Sequence, residues 1–152
     1  EPAHVVLIDP PTDLQQQQAV LSASNRGCTV HLAYGSAELQ FAESVTASQL
    51  LLDDQVRSLW GLLRERTELQ GEQLELELRG QGAGVRTPVH AARLLRALDE
   101  LQLAEFEPDQ RVLGWLPAPP GTDLANCAAL LEYRNAFEEA SAWLMNSPKL
   151  AA

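Results

Sequence analysis

TPVHAARLLRALDELQLAEFEPDQRVLGW, Thr87 to Trp115, is the stretch on which the fold of this 152-residue chain turns. Thr87 is an N-cap type, and Pro88 after it is pre-set for the first helical position, so a helix opens here. Ala91, Leu94, Leu95, Leu98 and Leu101 recur at helical spacing and give it one apolar stripe. Leu103-Ala104-Glu105-Phe106, a Pro108-Asp109 turn and Arg111-Val112-Leu113-Gly114-Trp115 then predict a β-hairpin. Upstream, Asp53 or Asp54 caps a helix with Val56, Leu59, Trp60 and Leu63 on one side. Between the two helices, Leu74, Leu76 and Leu78 alternate with Glu75 and Glu77, which predicts a half-buried strand. Gly80, Gly82 and Gly84 predict a flexible loop. Helix, strand, helix and hairpin in that order form a winged-helix-like pattern, its second helix shortened to the Gly-rich loop.

Outward from this stretch, the N-terminal part predicts a β-α-β unit. His4-Val5-Val6-Leu7-Ile8 is a continuous apolar run of the kind found in buried parallel strands. Thr12, with Gln15 three residues on, is a capping-box signature for a helix through about Asn25, ended by Arg26-Gly27. Cys28 to Tyr34 predicts a second strand, parallel to the first through a right-handed crossover. Ser36 caps a short helix containing Leu39 and Phe41. After a linker at Pro117 to Gly121, Thr122 opens a C-terminal helix with Leu124, Ala128, Leu131, Phe137 and Leu144 available for packing. The expected fold class is α/β (α+β): a small parallel β-α-β layer (1–46), a winged-helix-like subdomain (47–116), and a linker with C-terminal helix (117–152).

Composition narrows the function classes. An apolar share of 45% suits a buried core, and no apolar run is long enough to span a membrane. The opening Glu1-Pro2-Ala3 lacks Met and the build of a signal peptide, so a piece of a longer protein is expected. Cys28 and Cys127 make no disulfide framework, and a reducing cytoplasm follows as the expected setting. The net charge of −10 disfavours sequence-independent nucleic-acid binding by the whole surface. Yet Arg79 to Leu98 holds Arg79, Arg86, Arg93, Arg96 and His90 without a single acid.

No catalytic constellation emerges. His4, His31 and His90 stand without metal-ligand spacing, and each Cys suits a buried structural thiol. Gly80, Gly82 and Gly84 lack the following Lys-Ser/Thr of a phosphate loop, and Asp9 alone at a strand end suits a turn acceptor. The Arg cluster is the informative feature. His90, Arg93, Arg96 and Glu100 fall on the side opposite Leu94, Leu98 and Leu101, with Arg86 just before the helix. Three readings stand side by side: a solvated face with an Arg96–Glu100 pair, a DNA recognition helix, or a carboxylate-binding patch. Glu105, Glu107 and Asp109 on the wing repel a duplex, which favours a short acidic peptide. Arg86, Arg93 and Arg96 would grip its carboxylates, with Trp60 and Phe106 as apolar pocket wall or, alternatively, as core.

Val5-Val6-Leu7-Ile8-Asp9-Pro10-Pro11, the Leu59-Trp60 to Leu63-Arg64 helix, the Arg93 to Trp115 segment, and Glu132-Tyr133-Arg134 with Trp143-Leu144 resemble the C-terminal region of the bacterial RecJ family. These are single-stranded-DNA-specific 5′-to-3′ exonucleases. The resemblance implies a non-catalytic appended domain in DNA repair and recombination. Manganese or magnesium would belong to the parent's catalytic core, whose Asp-His-His motif does not occur in this sequence. It further implies protein partners: the acidic C-terminal tail of single-stranded-DNA-binding protein, or a repair helicase or translocase. Direct DNA binding by the fragment is expected to be weak or absent, membrane association is not expected, and a cytoplasmic, nucleoid-associated setting is. A winged helix guiding single strands to the nuclease, or a purely structural brace, are the alternatives.

Overall fold

The computed structural model describes residues 3–80 and 85–146. The chain is a mixed α/β fold with a two-stranded parallel sheet and a three-stranded antiparallel sheet. It divides into two compact units, Glu1–Ser48 with Asn135–Ala152, and Gln49–Arg134. The boundaries fall inside two helices, so the C-terminal helix is not a third, separate piece.

In the first unit, β1 (His4–Leu7) pairs in parallel with β2 (Thr29–Leu32), with His4 opposite Thr29 and Leu7 opposite Leu32. Helix α1 (Leu14–Asn25) makes the crossover, and α2 (Ser36–Leu50) follows. The cap of α1 is Asp13, not Thr12: Asp13 Oδ1 accepts from Gln16 N–H at 2.8 Å, and Gln16 Oε1 reaches back to Thr12 N–H. An Asp carboxylate outcompetes a Thr hydroxyl for the positive helix end. Gly27, at φ +81°, ends the helix as the sequence predicts. β1 is not the doubly buried strand expected. The strand alternates exposed and half-buried positions, so one face is left open, and Val6 and Ile8 are exposed. The covered side packs Leu7 and Leu32 against Tyr34, Leu39 and Leu144. The short helix expected at Ser36 runs 15 residues, with Leu39 buried and Phe41 in solvent.

The second unit runs α3 (Asp53–Arg66), β3 (Glu68–Gln70), α4 (Gly71–Arg79), α5 (Pro88–Glu100), β4 (Ala104–Glu107) and β5 (Val112–Trp115). After them come a 3-10 turn at Leu124–Asn126 and α6 (Ala128–Asn146), which begins in this unit. The sheet order is β3-β5-β4, all antiparallel. The order helix, strand, helix, helix and hairpin is winged-helix-like, with the second helix present. The Leu74–Leu78 alternation is a helix, and the real strand is the three residues before it. Leu and Glu favour helix over strand, and Leu74 and Leu78 at i and i+4 share its inner side while Leu76 stays exposed. Leu69 fills β3's single inward position and is fully buried. Leu52, Val56, Leu63, Leu94, Leu98 and Leu113 complete the core. Neither Asp53 nor Asp54 caps α3. Asp53 instead accepts from Arg134 at 2.6 Å, and Asp54 pairs with Arg57. Gly82 and Gly84 lie outside the described residues; Gly80, at φ +70°, ends α4.

Candidate functional site

Thr87 and Pro88 start α5 as the sequence predicts, with Thr87 Oγ1 accepting from His90 N–H. What α5 then does with its polar residues departs from expectation. His90 is buried, its Nε2 3.0 Å from Gln55 Oε1. Burial, and then the Arg86 and Arg93 charges, push its pKa below the ordinary histidine value. Arg93 donates to the Gln49 carbonyl at 3.2 Å and stands 5.6 Å from the Tyr133 ring. Arg96 donates to Glu132 at 2.7 Å and stands 5.6 Å from the same ring. That bond raises the arginine's pKa and, as the largest cause, lowers the glutamate's. Glu100 turns away from Arg96. Its carboxylate accepts from the Ala128 and Ala129 N–H groups and so caps α6.

Arg96 is therefore paired with Glu132, while Arg93, held by the Gln49 carbonyl and the Tyr133 ring, lies outside the groove formed by α4, α5 and the wing. Trp60 leaves the expected site as well: its Nε1 donates to the Leu116 carbonyl at 3.2 Å, with Arg64 stacked 5.5 Å over the ring. Of the five residues expected to bind a partner, Arg86 and Phe106 line one depression together.

That depression is a groove of about 660 Å³ between α4, the start of α5 and the wing. Leu74 and Leu78 of α4, Ala91 and Leu95 of α5, and Phe106 of β4 supply apolar walls. Phe106 and Val85, both exposed, sit together in this apolar lining. The charged lining consists of Arg79, Arg86 and Arg111 against Glu75, a positive surplus on a chain of net charge −10. Arg79 pairs with Glu75 at 3.3 Å. Arg86 donates to Gln55 Oε1 and to the Glu77 carbonyl, at 2.9 and 2.8 Å, so its charge has no carboxylate among these partners. Arg111 sits at the hairpin turn with φ +53°, a conformation costly for any residue with a Cβ.

Sequence reasoning missed Arg111 and the α4 wall. The i, i+4 spacing of Leu74 and Leu78 was the available signal for that wall, outvoted by the shorter alternation. Cys127 is buried and its thiol pKa is raised, chiefly by that burial, as suits a structural thiol. Among the described residues no group of three or more His, Cys, Asp or Glu side chains is placed to hold a metal ion. Among the same residues no helix is long and apolar enough to cross a membrane. No protein family matches the chain, and no curated protein or solved structure is significantly similar to it.

Proposed function

We propose that the second unit is a non-catalytic docking module, and that its α4–α5–wing groove binds a short acidic segment with an aromatic or aliphatic anchor. The observation that carries this is the pairing of an apolar, open groove with Arg86 and Arg111, neither of which has a salt-bridge partner among the described residues, on an otherwise acidic chain. A buried apolar anchor supplies affinity, and charge-assisted hydrogen bonds to carboxylates supply orientation. The resemblance to the RecJ family supports placing the module in a single-strand-specific 5′-to-3′ exonuclease. Its docking partner would be the acidic, Phe-ending tail of single-stranded-DNA-binding protein, or a repair helicase. Manganese or magnesium stays with the parent's core in this proposal, and a cytoplasmic, nucleoid-associated setting belongs to it too.

The exposed side of α5 counts against duplex DNA. It presents Val89, Ala92, Asp99 and a neutralised Arg96, whereas a DNA reader lines that face with free cations. The test is titration of a fluorescent acidic peptide ending in Phe against the wild-type chain, Phe106→Ala and Arg111→Glu. Each variant is expected to bind about tenfold more weakly, the loss of about 1.4 kcal/mol typical of an interface anchor. Equal affinity for all three proteins, or tighter binding of an oligonucleotide than of the peptide, refutes the proposal.

A further inference from the structure

Gln55 of α3 is shared by two residues at the start of α5. Its Oε1 lies 2.9 Å from Arg86 Nε and 3.0 Å from His90 Nε2. An arginine Nε–H only donates, so the Gln55 atom facing it is the carbonyl oxygen and not the amide nitrogen. That oxygen only accepts, so His90 Nε2 carries the proton of the neutral ring. Nδ1 is left as the basic nitrogen, and a second proton enters there. Arg86 is held at its other end too. Its Nη1 donates to the Glu77 carbonyl at 2.8 Å and lies 3.4 Å from the Leu78 carbonyl, at the C-terminal end of α4, where carbonyl dipoles favour a cation. Arg86 lines the groove, whereas His90, 5% exposed, is not part of that lining.

The charges that act on His90 are Arg86, just before α5, and Arg93, one turn further along it. From α3 it meets the neutral Gln55, α4 reaches Arg86 through backbone carbonyls, and Tyr133 of α6 lies against Arg93. Burial first, and then the two positive charges, disfavour a proton on Nδ1. Resting on the docking reading of the groove, we propose that its affinity for an acidic segment is coupled to protonation of His90 through Gln55 and Arg86. A carboxylate set against Arg86 cancels part of the positive charge that His90 feels. The imidazolium is then less costly in the occupied groove than in the empty one, so binding takes up a proton. Linkage is reciprocal, and the same factor by which the ligand favours the proton is the factor by which the proton favours the ligand. Affinity therefore rises as pH falls below the ordinary histidine value near 6.5.

The test titrates the fluorescent acidic peptide ending in Phe against the wild-type chain and His90→Gln at about pH 7.5 and about pH 5.5, where peptide Asp and Glu side chains stay ionised. The wild-type chain is expected to bind about threefold more tightly or better at the lower pH. That is part of the roughly fivefold lower end usual for coupled sites, because His90 is only partly protonated there. His90→Gln, its folding checked by circular dichroism, is expected to bind equally at both. A second measurement does not depend on the variant. Nuclear magnetic resonance follows the His90 ring of the wild-type chain through the same range, and saturating peptide is expected to raise its titration midpoint by about half a pH unit or more, the same factor of three. Equal wild-type affinity at both pH values, tighter binding at the higher one, the same pH response in His90→Gln, or an unmoved midpoint overturns the coupling and leaves the groove reading standing. Absence of peptide binding at either pH refutes the groove reading, and the coupling with it.

Discussion

Replacing Arg93 by Met separates a structural arginine from a docking one. The Met side chain keeps much of the apolar stem, so packing is largely conserved, while the guanidinium disappears. Two interactions go with it: the charged hydrogen bond to the Gln49 carbonyl and the approach to the buried Tyr133 ring. A cation–π contact contributes about 0.5–1 kcal/mol at a partly exposed site. A hydrogen bond from a charged donor contributes about 1.5–3 kcal/mol, less here because Arg93 is only half-buried and water can replace it. Together these give about 2 kcal/mol. For a chain of this length that corresponds to a melting temperature lower by about 4–8 °C. The assay is thermal denaturation followed by circular dichroism, run beside the acidic-peptide titration. The expected result is a lower melting temperature with peptide affinity changed less than about twofold. An unchanged melting temperature together with lost peptide binding would refute the reasoning and return Arg93 to an open docking surface.

Arg111→Gly relieves a positive φ that only glycine adopts freely, so the variant is expected to gain up to about 1 kcal/mol in denaturant titration while binding the acidic peptide less tightly. Glu100→Ala removes the carboxylate that caps α6 and is expected to cost about 1–2 kcal/mol in the same measurement. His90 titrates below the ordinary value near 6.5 in the fold, so the unfolded chain takes up its proton first on acidification. Its contribution to stability is therefore complete above pH 6.5 and is lost as pH falls from there through the lowered folded value. The wild-type melting temperature is expected to fall more steeply than that of His90→Gln from neutral pH down through that range, and parallel pH profiles would contradict this.

The sequence by itself determined the elements whose signals are local. Thr87-Pro88 opens α5 because a cap and a preset φ act within one turn, and Gly27 closes α1 because only its missing Cβ makes φ +81° inexpensive. The parallel β1–α1–β2 unit and the wing were legible for the same reason. Leu74 to Leu78 fitted both periods at once, and tertiary burial chose the helix, since it covers Leu74 while leaving Leu76 wet. The candidate site lay further out of reach. Arg86, Arg93 and Arg96 look alike in the sequence, but the folded chain brings Tyr133 and Glu132 to two of them from about forty residues away. Arg86 was left cationic against the groove that α4, α5 and Phe106 form together. A residue's type and its neighbours in sequence decide how the backbone starts and stops, whereas the partner that takes up a charge is chosen by long-range packing that no short window contains.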